Sequence, residues 1–353
     1  MAEILWDAPA TPDETTYVIR QIPRPAELTL TNLPGVVTYR PEHTVRWGEI
    51  TRRNRLASYR AFDGPIAVGA RDDASDRQVR LAPFSRQLNL GEYERLAIEF
   101  ERMAGGNRAV LANAIYDDAA NLTSSMHNRA EKAVAQTLYT GVFDVNENGY
   151  RGVADFGLQA SNKFVAAVKW GANPTTAKAG DDLRAMRKAY QTSAGVNPGR
   201  IITSEAVIDA LCNNAQIVAE TIGTLAGRTW INRGELDNWL RLNRLPGIDA
   251  VTEYETSFFN EETNLEERAI PQDRLIMTPE SLSSILEFRY GLSATALELI
   301  RSPRSEMTWQ DGAGICGLAV KDGPPFRQFT YVDAVGMPIL SGARQIVIGS
   351  VLS

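Results

Sequence analysis

The chain has 353 residues, of which 44% are hydrophobic and 23% are charged. These proportions are typical of a globular protein with a substantial core, and the length suggests about two domains. A formal net charge of −6 argues against a general nucleic-acid binder, which needs clustered positive charge, and no apolar run is long enough to predict a membrane span.

The few cysteines and histidines limit the chemistry further. Cys212 and Cys316 cannot form a disulfide framework and are interpreted as small buried hydrophobes, which predicts a reducing cytosol. The N-terminus lacks the basic segment and the long apolar stretch of a secretion signal. His43 and His127 lie far apart in the sequence, so we expect no histidine metal site and no bound cofactor.

The first part of the chain does not resemble the start of a compact domain. Prolines interrupt it repeatedly, and each disfavours helix at the preceding residue. This predicts an extended N-terminal arm over residues 1–58, which lies either across its own body or across a neighbouring molecule. The residues expected to contact another subunit from this arm are Trp6, Tyr17, Ile19, Leu28, Leu30 and Trp47.

A long hairpin is predicted next. Its strands cover residues 60–68 and 78–89, and a polar tip covers residues 69–76. A charged tip between two strands projects from the body, so Arg71, Asp72 and Asp73 are candidate contacts with another subunit. The alternative interpretation is an ordinary surface hairpin.

Two helices follow, and the second is unusually long. The first is predicted over residues 92–103 and the second over residues 108–140, closed by Gly141. At 1.5 Å per residue the second helix would be about 50 Å long, which is typical of the spine of an elongated protein. Its apolar residues recur every three or four positions, at Leu111, Ile115, Ala119, Leu122, Met126, Ala130, Val134 and Leu138.

The remaining chain interleaves strands and helices without a regular βαβ rhythm, which predicts a mixed α+β fold. Asn148-Gly149 predicts a hairpin over residues 141–156. Asp181 or Asp182 is expected to cap a helix ending at residue 194, and Ser204 to cap another. The other predicted elements are a helix over residues 233–245 and strands over residues 200–203, 249–259, 275–277, 328–333 and 345–352.

No motif in the sequence carries recognisable catalytic chemistry. There is no phosphate-binding loop, no Gly-x-Ser-x-Gly elbow and no His-Glu-x-x-His helix. Acidic pairs such as Asp117-Asp118 could bind a divalent cation but are more simply solvated. His127, beside the apolar stripe of the long helix, is interpreted as structural. We therefore predict that the protein is not an enzyme and has no catalytic, cofactor-binding or metal-binding residues.

The order of these elements resembles the Hong Kong-97-type capsid fold of tailed bacteriophages, and more narrowly the lambda-like major capsid protein E family. An arm leads to a projecting hairpin, a long spine helix, an α+β body and a returning C-terminal strand. The stretches that carry the resemblance are residues 129–141 (RAEKAVAQTLYTG), 181–183 (DDL), 198–211 (PGRIITSEAVIDAL), 289–291 (RYG), 329–338 (FTYVDAVGMP) and 345–350 (QIVIGS).

The resemblance implies a domain organisation for the chain. Residues 1–58 would be the N-terminal arm and residues 59–91 the extended E-loop hairpin. Residues 92–180 and 290–340 would form the peripheral domain with the spine helix, and residues 181–289 and 341–353 the axial domain around the five-fold and six-fold axes. No long charged N-terminal coil is present, so the resemblance implies a separate scaffolding protein.

The resemblance also implies a function and partners. The chain would assemble in the host cytoplasm, as pentamers and hexamers, into the icosahedral shell of a virion that encloses double-stranded DNA without sequence-specific binding. A portal and a decoration protein are further expected partners, and no membrane is expected. Two alternatives stay open: an encapsulin-like compartment shell, and an α+β enzyme that uses carboxylates.

Overall fold

The computed structural model of the chain describes residues 11–50, 74–91, 93, 96, 100, 109–223, 227–261, 264–302, 305–322 and 327–352. Helices and strands are mixed without regular alternation, which confirms the predicted α+β class. None of the helices in these residues combines the length and the apolar character that a membrane crossing requires.

The described chain opens with a helix, α1 (Pro12–Gln21), so the predicted extended backbone is wrong here. Thr11 accepts a hydrogen bond from the Glu14 N–H at 3.2 Å, and the Glu14 side chain accepts one from the Thr11 N–H at 2.9 Å. Pro12 occupies the first helical position, where an N–H would have no intrahelical partner and the fixed φ of proline suits the helix. This proline therefore starts the helix.

A five-stranded sheet forms one half of the molecule. Its strands are β1 (Val37–Tyr39), β4 (Ala82–Leu90), β13 (Leu286–Tyr290), β14 (Cys316–Asp322) and β15 (Arg327–Leu340). Strand β15 pairs antiparallel with β4, β13 and β14, and β13 pairs parallel with β1. The sheet thus brings together segments from the beginning, the middle and the end of the chain.

The predicted long helix is confirmed as α2 (Ala109–Thr140), which we call the spine helix. It ends at Gly141, whose φ of +76° is a conformation that other residues rarely adopt. The helix lies against β15 and β4. Leu122, Met126 and Val134 of its predicted apolar stripe are buried in a first hydrophobic core between the helix and the sheets.

The central strands of a second five-stranded sheet are buried on both faces. The sheet consists of β7 (Lys163–Val165), β16 (Val347–Ser350), β12 (Arg274–Thr278), β8 (Arg200–Thr203) and β9 (Val251–Glu253), in that order. Within β12, Ile276 belongs to the first core, whereas Leu275 and Met277 belong to a second core. Burial on both faces explains the continuous apolar run of this strand.

In the described chain, four helices cover the second core: α3 (Ala179–Ala194), α4 (Glu205–Cys212), α5 (Ala215–Ile222) and α6 (Arg233–Leu242). Ser204 caps α4 as predicted, accepting a hydrogen bond from the Val207 N–H. The predicted cap at Asp181 or Asp182 is wrong, because α3 begins at Ala179 and both carboxylates lie in its first turn, where the helix dipole favours negative charge.

Two short hairpins extend from the cores. The predicted hairpin after the spine helix is confirmed as β5 (Val142–Glu147) and β6 (Tyr150–Asp155), with Asn148 and Gly149 at φ +47° and +79° in its turn. The second hairpin pairs β10 (Ser257–Asn260) with β11 (Leu265–Arg268). The single strand predicted over residues 249–259 is wrong, since it is divided between β9 and β10.

The projecting hairpin differs from its prediction. Strand β2 (Thr44–Ile50) pairs antiparallel with β3 (Ala74–Arg80), so the partner of residues 74–80 comes from the predicted arm and not from residues 60–68. Residues 74–76 belong to a strand rather than to the tip. Residues 60–68 and the rest of the tip lie outside the described residues, as does most of the predicted helix over residues 92–103.

The boundary between the two hydrophobic cores does not coincide with the predicted boundary between the domains. Ala166, Trp170 and Ala177 lie in the second core, although the predicted domain of the spine helix includes residues 92–180. Phe288, which the prediction places in the other domain, lies in the first core.

One helix, α7 (Ala294–Arg301), follows β13 and leads toward β14.

Candidate functional site

The N-terminal segment, residues 11–36, is attached to the body of its own subunit. Helix α1 lies along β14, where the Thr16 hydroxyl donates to the Gly317 carbonyl at 3.1 Å and accepts from the Gly317 N–H at 3.3 Å. Asp13 accepts hydrogen bonds from the Ser305 hydroxyl at 2.6 Å and from the Glu306 N–H at 2.8 Å. These contacts hold the helix against the edge of the first sheet.

Glu131 of the spine helix fixes the rest of this segment. Its side chain is fully buried and accepts hydrogen bonds from the N–H groups of Leu30 at 2.9 Å and Thr31 at 2.8 Å. The Tyr254 hydroxyl donates a third, at 3.0 Å. A buried carboxylate is tolerated only when hydrogen bonds compensate its lost hydration, so Glu131 joins the N-terminal segment, the spine helix and the β9–β10 connection.

Tyr254 is buried beside Glu131. Burial, followed by the neighbouring Glu131, raises the pKa of the Tyr254 phenol above its usual range. The phenol therefore stays protonated and able to donate its hydrogen bond. Two residues away, the Thr256 hydroxyl donates to the Glu27 carbonyl at 2.8 Å, which adds a second tie between the N-terminal segment and this connection.

Three of the predicted contact residues are buried within their own subunit. Ile19, Leu28 and Leu30 are each at most 1% exposed, because α1 and the following turn bury them against their own subunit. Tyr17, on the outer side of α1, is 65% exposed and stays a prediction. Trp47 lies on β2, of which only the backbone is described at that position, and Trp6, Arg71, Asp72 and Asp73 lie outside the described residues.

A groove of about 800 Å³ opens where α1 ends, between the spine helix and residues 313–315. We call it the arm groove. Arg20, Arg24, Tyr39 and His127 supply its polar lining, and Ile19, Ile22 and Ile315 supply apolar surface. Burial, followed by the positive charge of Arg24, lowers the pKa of His127 to about 4. The histidine is therefore neutral at pH 7.

A second cleft, of about 410 Å³, lies between the spine helix and the β10–β11 hairpin. Ion pairs cross it: Arg86 with Glu261, Arg129 with Glu147 at 2.6 Å, and Lys132 with Glu267 at 2.8 Å. Since each of these basic side chains has an acidic partner, the cleft is electrically balanced. The ion pairs of Glu261 and Glu267 attach the β10–β11 hairpin to β4 and to the spine helix.

A third groove, of about 720 Å³, lies on the helical side of the second core, among α4, α5 and residues 170–175. At its rim, Arg228 stacks over the ring of Trp230 at 4.8 Å and forms two parallel hydrogen bonds with Glu235, both 2.9 Å long. Those hydrogen bonds lower the pKa of Glu235. Trp230 itself is half exposed.

Burial raises the pKa of both free thiols, Cys212 and Cys316, which keeps them protonated and weakly nucleophilic. Within the described part of the chain, no cluster of three or more histidine, cysteine, aspartate or glutamate residues could hold a metal ion.

The sequence gives few indications of the roles of Glu131, Arg20 and Arg24. Glu131 directly follows Ala130 and precedes Val134 by three positions, so it lies at the edge of the apolar stripe of the spine helix. A charge at such an edge is a signal of a buried, partnered carboxylate. Arg20 and Arg24 carry no comparable signal, because their partners include Ile315 and Tyr39, which come close to them only in the folded chain.

Comparison with solved structures identifies the fold as that of phage capsid subunits. The chain is similar to the capsid asymmetric unit of cyanophage A-1(L), with 11% identity, a TM-score of 0.52 and coverage of 92% of each chain. It is similar to the capsid of Myoviridae phage XM1, with 11% identity, a TM-score of 0.50 and coverage of 92% of each chain. A crystal structure assigned to the capsid protein of an E. coli CFT073 prophage gives 12% identity and a TM-score of 0.52, covering 92% of this chain and 87% of the other.

The family assignment is more specific than the fold. No curated protein matches the sequence, but the family model for phage major capsid protein E matches residues 13–294. The chain therefore belongs to the phage major capsid protein E family. It is a structural, shell-forming protein of the virion capsid, as the resemblance in sequence predicted.

Proposed function

We propose that copies of this chain assemble, as pentamers and hexamers, into an icosahedral head shell that encloses packaged double-stranded DNA. The observation that carries the proposal is the family match over residues 13–294, on a fold shared with phage capsid subunits. Heterologous contacts close into rings when the rotation between copies is right, and such contacts need separate surfaces on one subunit. The antiparallel pair of strands β2 and β3, which we call the β2–β3 ribbon, and the arm groove would be two such surfaces.

The proposed domain organisation follows the family, with the two cores as its physical basis. The first core and the spine helix would belong to the peripheral domain, and the second core with its four helices to the axial domain. The β2–β3 ribbon would be the base of the E-loop, and residues 11–36 the attached part of the N-terminal arm. The boundary near residue 180 moves toward residue 163, because β7 belongs to the second sheet.

The proposed partners are those of a head in assembly. A separate scaffolding protein, a portal and a decoration protein would join the shell, with assembly in the host cytoplasm. A net charge of −6 supports a container that does not bind phosphates strongly, so the DNA would be enclosed without sequence recognition.

Negative-stain electron microscopy of the purified full chain tests this proposal. Closed shells, tubes or rings of subunits are the expected result, and nucleic acid rather than an enclosed enzyme should be found in particles isolated from phage. A stable lone monomer that turns over a substrate would contradict the proposal. Particles filled with a cargo enzyme would instead favour a compartment shell.

A further inference from the structure

The arm groove is positively charged and carries no compensating acid among its described lining residues. The Arg20 guanidinium donates to the Ile315 carbonyl at 3.3 Å and to the Cys316 Sγ at 3.7 Å. The Arg24 guanidinium donates to the Thr31 carbonyl at 3.1 Å and to the Tyr39 hydroxyl at 2.9 Å. All four partners are neutral, and no aspartate or glutamate is among the described residues that line the groove.

The other clefts of the molecule differ in this respect. In the cleft beside the β10–β11 hairpin, Arg86, Arg129 and Lys132 already have carboxylate partners. Arg228, at the rim of the third groove, is paired with Glu235. The arm groove thus combines two guanidiniums held by neutral groups with apolar side chains in its wall, and this combination suits a peptide with carboxylates beside large apolar residues.

The first residues of the chain have this chemistry. The sequence from Glu3 to Asp7 is EILWD, in which two carboxylates flank isoleucine, leucine and tryptophan. A volume of about 800 Å³ is within the range of roughly 300–1,000 Å³ in which pockets enclose a ligand of tryptophan size or larger. This segment is therefore a candidate occupant of the groove.

We propose that the arm groove of one subunit binds residues 3–7 of a second copy, with Glu3 and Asp7 opposite Arg20 and Arg24 and Trp6 against the apolar wall. This inference rests on the proposed shell, because it supplies one of the contacts between copies. It assigns the arm a defined receptor, formed by the N-terminal segment, the spine helix and residues 313–315 of the other copy.

The geometry favours a neighbour's segment over the subunit's own. The groove lies at the C-terminal end of α1, whereas residues 1–10 precede its N-terminal end, and a helix of ten residues is about 15 Å long. A return path would need a reversal between residues 7 and 11. At Thr11 the chain makes no reversal, because this residue precedes Pro12 and is extended, with φ −74° and ψ 157°.

Photo-crosslinking in assembled particles tests the proposal. Trp6 is replaced by the photoreactive residue benzoylphenylalanine, and these chains are co-assembled with ¹⁵N-labelled chains that lack the probe. After irradiation, linked peptides are identified by mass spectrometry. The expected result is mixed-isotope pairs linking position 6 to residues 19–24 or 313–315. Links to other surfaces, or links confined to one chain, would overturn the inference.

Charge variants make the test specific. The double change Glu3→Gln and Asp7→Asn lies outside the described fold and should reduce the crosslinks at least tenfold, because it removes both charge-assisted contacts. Arg24→Glu should do the same, and adding Asp7→Lys should restore them. Arg151→Gln, at an exposed arginine on β6, is the matched control and should leave the yield unchanged. Equal yields from all variants would contradict the charge pairing.

The result separates this inference from the shell proposal. If closed particles form but the crosslinks map elsewhere, the shell proposal stands and the groove assignment is wrong. If the wild-type chain forms no particle or ring, either alone or with its scaffolding protein, the shell proposal itself is wrong.

Discussion

Glu131 is the residue on which the attachment of the N-terminal segment depends most. It accepts hydrogen bonds from two backbone N–H groups and a buried phenol. Hydrogen bonds to a charged group contribute roughly 1.5–3 kcal/mol each, and a donor that loses its acceptor in a buried place adds its own desolvation cost. The carboxylate therefore decides whether residues 28–31 stay on the spine helix.

Replacing Glu131 by glutamine should lower the free energy of unfolding by about 3 kcal/mol, because the new amide N–H₂ would face a backbone N–H. Urea unfolding of the unassembled chain measures this loss. Tyr254→Phe removes one hydrogen bond to the charged carboxylate and should cost about 2 kcal/mol. Glu298→Gln, at an exposed position on α7, is the matched control. A loss at Glu131 no larger than that of the control would contradict the role assigned to it.

His127 makes stability depend on pH. Burial and Arg24 lower its pKa from 6.5 to about 4, so between these values the unfolded chain binds more protons than the folded one. The free energy of unfolding therefore has its full value above pH 6.5. It decreases as the pH drops toward 4, by up to about 3 kcal/mol. His127→Gln should remove this part of the dependence. Unfolding curves of wild type and variant between pH 7 and pH 4 would be parallel if the assignment were wrong.

At the scale of elements, the end of the spine helix is set by the backbone of one residue. Gly141 has φ +76°, and a Cβ there would lie 2.6 Å from the Leu158 Cβ. Gly149, in the β5–β6 turn, has φ +79°, but a Cβ at that position would meet nothing within 4 Å. Both glycines have a positive φ, but only Gly141 lacks the space for a Cβ.

This pair gives a matched prediction. Gly149→Ala should lower the free energy of unfolding by about 1 kcal/mol, the cost of a left-handed conformation in a residue with a side chain. Gly141→Ala adds a steric clash with Leu158 and should cost about 3 kcal/mol. Thermal unfolding of the two variants measures the difference. Equal losses would show that close packing at Gly141 does not help to terminate the helix.

Elements with local causes can be predicted from the sequence. The spine helix has its own apolar period and a terminal glycine, and the β5–β6 hairpin has Asn-Gly in its turn. The ribbon cannot be predicted in the same way, because the partner of β3 is β2, and residues 51–73 separate the two strands in the sequence. The prediction of extended backbone fails at α1 because it treats Pro12 as a helix breaker, although Pro12 occupies the first position of the helix.

At the scale of the whole molecule, the N-terminal region has two different roles. Residues 11–36 contribute Ile19, Leu28 and Leu30 to their own subunit's interior and satisfy Glu131, so they are part of the fold. The preceding residues have a sequence suited to the charged groove at the end of α1. The prediction of an arm that contacts another copy stays a prediction for residues 1–10, for the exposed Tyr17 and for Trp47 on β2.

The candidate site can be predicted only in part for the same reason. Glu131 has a local signal at the edge of an apolar stripe, but the arm groove joins α1, the spine helix and residues 313–315, which are close only after folding. The family resemblance indicates the fold and the class of protein. The groove and its charge follow from the arrangement of the side chains in space.

Cryo-electron microscopy of the assembled particle is the most direct measurement of whether this subunit is the repeating unit of a closed shell. The predicted result is an icosahedral reconstruction in which each subunit matches the two-core fold and residues 3–7 of one copy lie in the arm groove of another. Particles without closed symmetry, or density for residues 3–7 against their own subunit, would contradict it.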